Sequence, residues 1–190
     1  MLKKIKRNHT KSSLPKMVDG LLIVGDTSSR QNSELAQPTR ISLLAAGLLH
    51  NAGFSDKIVL LSTPPQITLM RKYLLDIFPN ISEKAIIFEE KSDKSQGAED
   101  IKRVIRKHSQ LRELGIISAG ESFKGQSVFD NVGLSITTIS PDEVLNDRRI
   151  AKSLKSSSHV VTELIKETVL NFIRYRRMLE NITLQKVSLL

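Results

Sequence analysis

The sequence contains no cysteine and no tryptophan among its 190 residues, and aromatic residues make up only 4% of it. The lack of cysteine excludes a disulfide framework, a zinc site with thiolate ligands and a thiol nucleophile. The histidines are scattered, with no two at the i, i+4 spacing of a helical metal pair: His9, His50, His108 and His159. A metal ion held by nitrogen or sulfur is therefore not expected, whereas a metal held by carboxylates stays open.

Long apolar segments and the common nucleotide motifs are absent too. The run "ISLLAAGLL" stops at nine residues, about half of the ~18–20 that a membrane helix needs. We therefore expect no membrane span and a cytoplasmic protein.

No GxxxxGK[ST] P-loop occurs, and no GxGxxG follows the first predicted strand. The sequence thus offers no P-loop for a phosphate and does not favour a classical dinucleotide enzyme.

A serine-hydrolase motif is missed by one position. In "GESFKG" (120–125), Lys124 stands where the GxSxG nucleophile elbow has its second glycine. Ser122, Asp142 and His159 follow the order of a hydrolase triad, but such combinations are common in any chain. Whether the protein is an enzyme stays open at this point.

The net charge of +9 is unevenly placed, since residues 1–16 contain six cations and no acid. A segment of this composition is expected to be a solvated, disordered arm. The alternative is that the arm binds nucleic acid or an anionic membrane surface. No apolar region follows the charges, so the arm is not expected to be a signal peptide.

Short apolar runs alternate with helical patterns along the rest of the chain. Five runs rich in Ile, Val and Leu predict strands covered on both faces: "GLLIVG" (20–25), "KIVLLS" (57–62), "AIIFEE" (85–90), "LGIIS" (114–118) and "LSITTIS" (134–140). Helical periodicity predicts helices at about 38–52, 65–78, 96–109 and 158–180. In the last helix the pattern puts Val161, Leu164 and Ile165 on the inner face.

This alternation predicts an α/β fold, a three-layer Rossmann-like parallel sheet of about five strands with helices on both faces. We expect one domain over residues 17–190 that ends in a long C-terminal helix. In such sheets ligands bind beyond the carboxyl ends of the strands, near the point where the strand order reverses. Polar segments follow the strands there, at 25–39, 62–65, 89–97 and 118–125, and we expect residues 25–30, 89–95 and 118–125 to form the walls of a ligand cleft.

A family resemblance rests on residues at these strand ends. Gly25 ends the first strand, Arg40 opens the first helix and Gly53 follows it. After the third strand a Glu-x-x-Ser-x-x-Thr-x-x-Asn pattern is matched by Glu89, Ser92, Ser95 and Ala98. After the fourth strand a Thr-Ser-x-x-His-x-x-Arg pattern is matched by Ile117, Ser118, Glu121 and Lys124. Through these residues the chain resembles the YdcF/SanA/ElyC-like family, a Rossmann-like domain of unknown function, over about residues 18–175, as a divergent soluble member.

The resemblance implies a ligand site at these positions. It also makes S-adenosylmethionine a candidate ligand, because members of the family are reported to bind it. The chain departs from the family at Ala98, Glu121 and Lys124, where the patterns have Asn, His and Arg. A general acid or base at the His position would become a carboxylate with a lower reference pKa, about 4.3 instead of 6.5.

The residues themselves suggest roles in binding. Arg40 can pair with a carboxylate or phosphate, and Ser118 and Ser122 can line an anion seat. Asp26 and Glu89 can accept hydrogen bonds from ribose hydroxyls or an amine, or hold a divalent ion. Structural roles compete with these: Arg40 can pair with Glu34, Asp26 can stabilise a turn, and Ser92 can cap the third helix.

We therefore expect a small-ligand-binding protein that takes a nucleotide-like or anionic metabolite. The predicted site comprises Gly25, Asp26, Arg40, Glu89, Ser92, Ser95, Ser118, Glu121, Ser122 and Lys124. The alternative is a non-catalytic interaction module that binds nucleic acid or a protein partner through its basic arm.

Overall fold

The sheet contains five parallel strands, as the sequence predicts. The computed structural model describes residues 17–25, 34–92, 97–118, 135–147, 149–150 and 159–167. The strands are β1 (Gly20–Val24), β2 (Ile58–Ser62), β3 (Ile86–Glu90), β4 (Glu113–Ile117) and β5 (Ser135–Ile139). They pair in the order β3-β2-β1-β4-β5, and every pairing is parallel. The predicted fold class is thereby confirmed, and each predicted strand ends within one residue of the observed one.

Helices follow β1, β2 and β3 in the expected alternation, and a further short helix follows β5. They are α1 (Gln37–Asn51), α2 (Pro64–Ile77), α3 (Gly97–Lys107) and α4 (Pro141–Asn146). Residues 159–167 are also helical; the rest of the predicted helix at 158–180, like the basic arm, lies outside the described residues. Within the described part of the chain, no helix has the length and apolarity needed to cross a membrane.

Two apolar clusters cover the two faces of the sheet. On one face Leu44 of α1 and Met70 of α2 belong to the same cluster as Leu21 of β1. On the other face Ile101 of α3 packs in a cluster with Leu22, the next residue of β1. Successive strand residues point to opposite faces, so these side chains bury both surfaces of the sheet and give the three predicted layers.

Glycine residues fix the position and the end of α1. A Cβ at Gly47 would lie 2.2–2.6 Å from ring atoms of Phe78, so this glycine lets the helix approach the residue that ends α2. Gly53, expected from the sequence to stop α1, has φ +76° just after the C-cap residue Ala52. A left-handed φ suits glycine, which has no Cβ to clash.

Helix α4 was not predicted from the sequence, although its start signal is present. Ser140 caps the helix, and Glu143 completes a capping box by accepting a hydrogen bond from the Ser140 N–H. The "SPDE" sequence at 140–143 carries the Ser-x-x-Glu pattern of that box. The helix has only six residues, which is too short to show an apolar period.

The predicted inner face of the last helix is wrong for part of residues 159–167. Val161 and Ile165 are 38% and 58% exposed, whereas Val160 is buried and Leu164 packs against the core. Val160, Leu164 and Glu167 have the spacing of one helix face, and Glu167 is bound to Arg40 of α1. That ion pair helps to set the rotation of the segment, which apolar periodicity alone cannot reveal.

Candidate functional site

The strand order reverses between β1 and β4. The chain builds β1, β2 and β3 in one direction and then returns to place β4 on the other side of β1. Helix α1 lies over one face and α3 over the other. In open parallel sheets, ligands bind beyond the carboxyl ends of the strands at such a reversal point, and the space beyond the ends of β1 and β4 is called the crevice below. Gly25 and Ser118 directly follow β1 and β4. They lie near each other because Ile23 of β1 pairs with Ile117 of β4.

Gly25 is buried and held between neighbouring strands. Its N–H donates to the carbonyl oxygen of Leu61, at 2.9 Å. A Cβ at this position would lie 2.4 Å from Ser62 Oγ and 2.9 Å from Met70 Sδ. Any larger residue would therefore push apart the ends of β1, β2 and the adjoining face of α2.

Ser62, which lies against Gly25, and Gln66 each have a buried polar atom without a hydrogen-bond partner within the described ranges. Ser62 ends β2 and is 0% exposed, and Gln66 in the first turn of α2 is 2% exposed. Neither Ser62 Oγ nor Gln66 Nε2 has a hydrogen-bond partner among the residues that the structure describes. No sequence motif marks these two residues.

The N-terminus of α2 is poorly suited to bind an anion. The helix begins with Pro64 and Pro65, and proline has no backbone N–H to donate. Its N-cap residue, Thr63, makes no side-chain capping hydrogen bond. A phosphate group therefore finds fewer donors here than at an ordinary helix N-terminus.

Arg40 lies in the first turn of α1, as predicted, and has an internal partner. Its Nε lies 2.6 Å from Glu167 Oε1 and its Nη2 lies 3.2 Å from Glu167 Oε2. Nη1 donates to the carbonyl oxygen of Leu35, at 2.7 Å. The hydrogen bond from the Arg40 guanidinium to Glu167 raises the pKa of Arg40.

Tyr73 of α2 belongs to the same polar group. Burial of its ring, together with the charges of Glu167 and Glu163, raises the pKa of the Tyr73 hydroxyl. Its Oη has no hydrogen-bond partner within the described part of the chain. Because its pKa is raised, the Tyr73 hydroxyl stays neutral at physiological pH.

Glu89 of β3 is buried and engaged by the end of α3. Its Oε1 lies 2.8 Å from Lys107 Nζ and 2.7 Å from His108 Nε2. Burial alone would raise the pKa of Glu89, but the hydrogen bonds from Lys107 and His108 lower it below its ordinary value. Because Leu61, its partner across the sheet, packs in the α3 cluster, Glu89 lies on the α3 face.

Ser92 follows β3 and is linked to α3 through its backbone. Its N–H donates to Asp100 Oδ1, at 3.1 Å, and Arg103 Nη2 lies 3.0 Å from the same oxygen. Asp100 is 0% exposed, and its buried carboxylate joins the residue after β3 to helix α3 by accepting the Ser92 N–H. Composition alone does not distinguish Asp100 from the exposed acids of this helix.

The structure brings together only part of the predicted site. Gly25 and Ser118 are neighbours at the crevice, whereas Glu89 lies two strands away from β1, about 10 Å across the sheet. Arg40 and Glu89 are on opposite faces, on the α1 and α3 sides respectively. The other predicted site residues, Asp26, Ser95, Glu121, Ser122 and Lys124, lie outside the described residues.

Two further features do not qualify as the ligand site. A cavity of about 320 Å³ lies at the amino edge of the sheet, next to Val18, Asp56 and Leu111; ligands in open parallel sheets bind at the opposite edge. Over the described ranges, no group of three or more histidine and carboxylate side chains is arranged to hold a metal ion. The crevice beside Gly25 and Ser118 is therefore the candidate site.

Comparison of the chain with protein-family models, with curated proteins and with solved structures gave no match.

Proposed function

We propose that the chain binds a small nucleotide-like or anionic metabolite in the crevice beside Gly25 and Ser118. The strand order β3-β2-β1-β4-β5 supports this proposal most directly, because its reversal point lies between these residues. S-adenosylmethionine is one candidate, from the resemblance to the YdcF-like family. The packing of Gly25 against Ser62 and Met70 gives the crevice a rigid floor, which favours binding of a defined small molecule.

Binding of polyanions is the alternative. The ion pairs of the α3 cations weigh against a contribution of α3 to such binding. Lys102, Arg103 and Lys107 each lie within ion-pair distance of a carboxylate, on Glu99, Asp100 and Glu89. Their charge is largely neutralised within the fold. The alternative therefore depends on the six cations of residues 1–16.

A thermal-shift screen of nucleotides, S-adenosylmethionine and sugar phosphates tests the proposal. A ligand at about 100 times its Kd should stabilise the protein by ~2.7 kcal/mol. Ser118→Tyr, which fills the crevice, should abolish the shift. Ser135→Tyr is the matched control, since Ser135 is exposed at the amino end of β5. A compound that stabilises both variants as well as the wild type would place the binding site elsewhere, and the absence of any shift would refute the proposal.

A further inference from the structure

We propose that Ser62 and Gln66 form a subsite for the uncharged end of this ligand. The group bound there would carry a hydrogen-bond donor and an acceptor side by side, as the edge of a nucleobase does. This inference rests on the proposed function. It narrows the ligand class to nucleosides and nucleotides, and it assigns two binding residues that no sequence motif indicates.

Burial without partners is the main reason for this assignment. Ser62 Oγ and Gln66 Nε2 are both inaccessible to solvent, and neither finds a partner among the described residues. Leaving a buried donor or acceptor unsatisfied costs about 1–3 kcal/mol, and native structures contain few such groups. The described residues contain six such atoms, and two of them lie four residues apart at the junction of β2 and α2, next to Gly25 and Met70. We take this pair as the place where a further molecule supplies the missing hydrogen bonds.

The location connects these groups to the crevice. Ser62 Oγ lies against Gly25, 2.4 Å from where a Cβ would stand, and Met70 Sδ lies 2.9 Å from the same point. Gln66 precedes Met70 by one helical turn and therefore shares its side of α2. The subsite thus adjoins the end of β1 on its β2 side, and the reversal point adjoins it on the β4 side.

The chemistry of the two side chains favours a neutral ligand group. A serine hydroxyl donates and accepts, and a glutamine amide carries both functions about 2 Å apart, which is why it can bind the edge of adenine with two hydrogen bonds. Neither residue is charged, and Pro64 and Pro65 leave the first turn of α2 with few N–H donors for a phosphate. The phosphate or other anionic end of the ligand would therefore lie elsewhere in the crevice.

A trapped water molecule is the simplest competing explanation, because buried waters commonly satisfy such groups. The two explanations differ in what they predict for variants without ligand. If water completes the hydrogen bonds of the folded protein, removing either polar group should lower its stability. If a ligand completes them, removing either group should leave the stability of the unliganded protein unchanged or raise it.

The experiment uses the full chain with Ser62→Ala, Gln66→Met and the control Thr68→Ala. Thr68 is exposed on α2 and donates only to the carbonyl oxygen of Pro64 among the described residues. Calorimetry measures binding of the four ribonucleosides and of inorganic phosphate, and the melting temperature is recorded without ligand. We expect about tenfold or greater loss of affinity for the preferred nucleoside in both site variants, with phosphate binding and melting temperature preserved.

Two sets of outcomes separate this inference from the proposed function. If both site variants melt earlier and keep the wild-type nucleoside affinity, the groups serve the framework and the subsite is refuted. If phosphate compounds bind and nucleosides do not, the subsite is refuted while the proposed function stands. If neither the nucleosides, nor phosphate, nor any compound of the wider screen binds the wild type, both fail together.

Discussion

At the scale of single residues, Glu89 shows how a buried charge is kept stable in this fold. Only 6% of its side chain is exposed, which disfavours the ionised form. Lys107 and His108 offset that cost by donating to the same carboxylate oxygen, and the pKa of Glu89 stays below its ordinary value. The carboxylate therefore links the edge strand β3 to the end of α3.

The lowered pKa of Glu89 predicts a defined dependence of stability on pH. The folded-state pKa lies below that of the unfolded chain, so the stabilisation is fully present above the unfolded value of about 4.3. It is lost as the pH falls through the folded-state value. At pH 7, Glu89→Gln should lower the free energy of unfolding by about 1–2 kcal/mol, and this difference should shrink below pH 4.

Urea unfolding at several pH values measures this effect. Glu99→Gln is the matched control, because Glu99 is 60% exposed in its pair with Lys102 and such pairs contribute about 0–1 kcal/mol. A difference between Glu89→Gln and the wild type that is the same at pH 7 and pH 3 would contradict the role assigned to its charge.

At the scale of elements, the ion pair of Arg40 and Glu167 connects α1 to the helical segment 159–167. The contact is bidentate, and the Glu167 side chain is only 6% exposed. A third hydrogen bond joins the same elements, from Gln37 Nε2 to the carbonyl oxygen of Glu167, at 3.2 Å. The role of Arg40 in ligand binding, expected from the sequence, stays a prediction beside this structural one.

Removing Arg40 distinguishes the two roles. Arg40→Ala leaves the carboxylate of Glu167 buried without its partner, and should lower the free energy of unfolding by about 2–3 kcal/mol. Replacing both residues by apolar ones, Arg40→Met with Glu167→Leu, should recover much of that loss. Arg71→Ala is the control, because its pair with Glu83 is exposed on both sides.

Chemical denaturation of the four proteins measures these differences. If Arg40→Ala is no more destabilising than Arg71→Ala, the guanidinium is not needed for the framework. A ligand from the screen that then loses affinity for Arg40→Ala would support the role that the sequence analysis gave it.

Elements were predictable from the sequence where one local pattern decides them. Runs of Ile, Val and Leu define β1, β2 and β4, because strands buried on both faces must be apolar, and nearly all of their residues are buried. The edge strands β3 and β5 keep exposed residues, so the prediction that all five strands are covered on both faces is wrong for these two. The partner of Arg40 was not predictable, since Glu167 lies 127 positions away and the sequence suggests the nearer acid Glu34. The burial of Ser62 and Gln66 was not predictable for another reason. Whether a polar side chain is buried depends on tertiary packing.

At the scale of the whole molecule, the positive charge of the described fold is partly cancelled by its own acids. Three outward cations of α3 are paired with carboxylates, whereas residues 1–16 contain six cations and no acid. Any attraction for polyanions should therefore come from those sixteen residues.

Deletion of residues 1–16 should abolish salt-dependent binding to heparin or DNA, because phosphate and sulfate contacts scale with the number of free cations. The melting temperature should change little, since the segment has few apolar residues to bury. Arg106→Ala, at an exposed position of α3, is the control and should keep the binding. Electrophoretic mobility shifts at about 50 and 200 mM salt measure the binding. If the shortened chain still binds, the binding site lies in residues 17–190 and the prediction is wrong.

The central place of β1 also governs the order in which the sheet can be completed. Leu21 pairs with Ile58 on one side and with Gly115 on the other. During synthesis, β1, β2 and β3, which lie within residues 20–90, are made before β4. Until β4 has left the ribosome, the edge of β1 that pairs with β4 has no hydrogen-bonding partner. An open, apolar strand edge favours association with other chains. A nascent chain arrested after residue 90 should therefore be prone to aggregate, and rapid arrival of β4 protects the newly made protein.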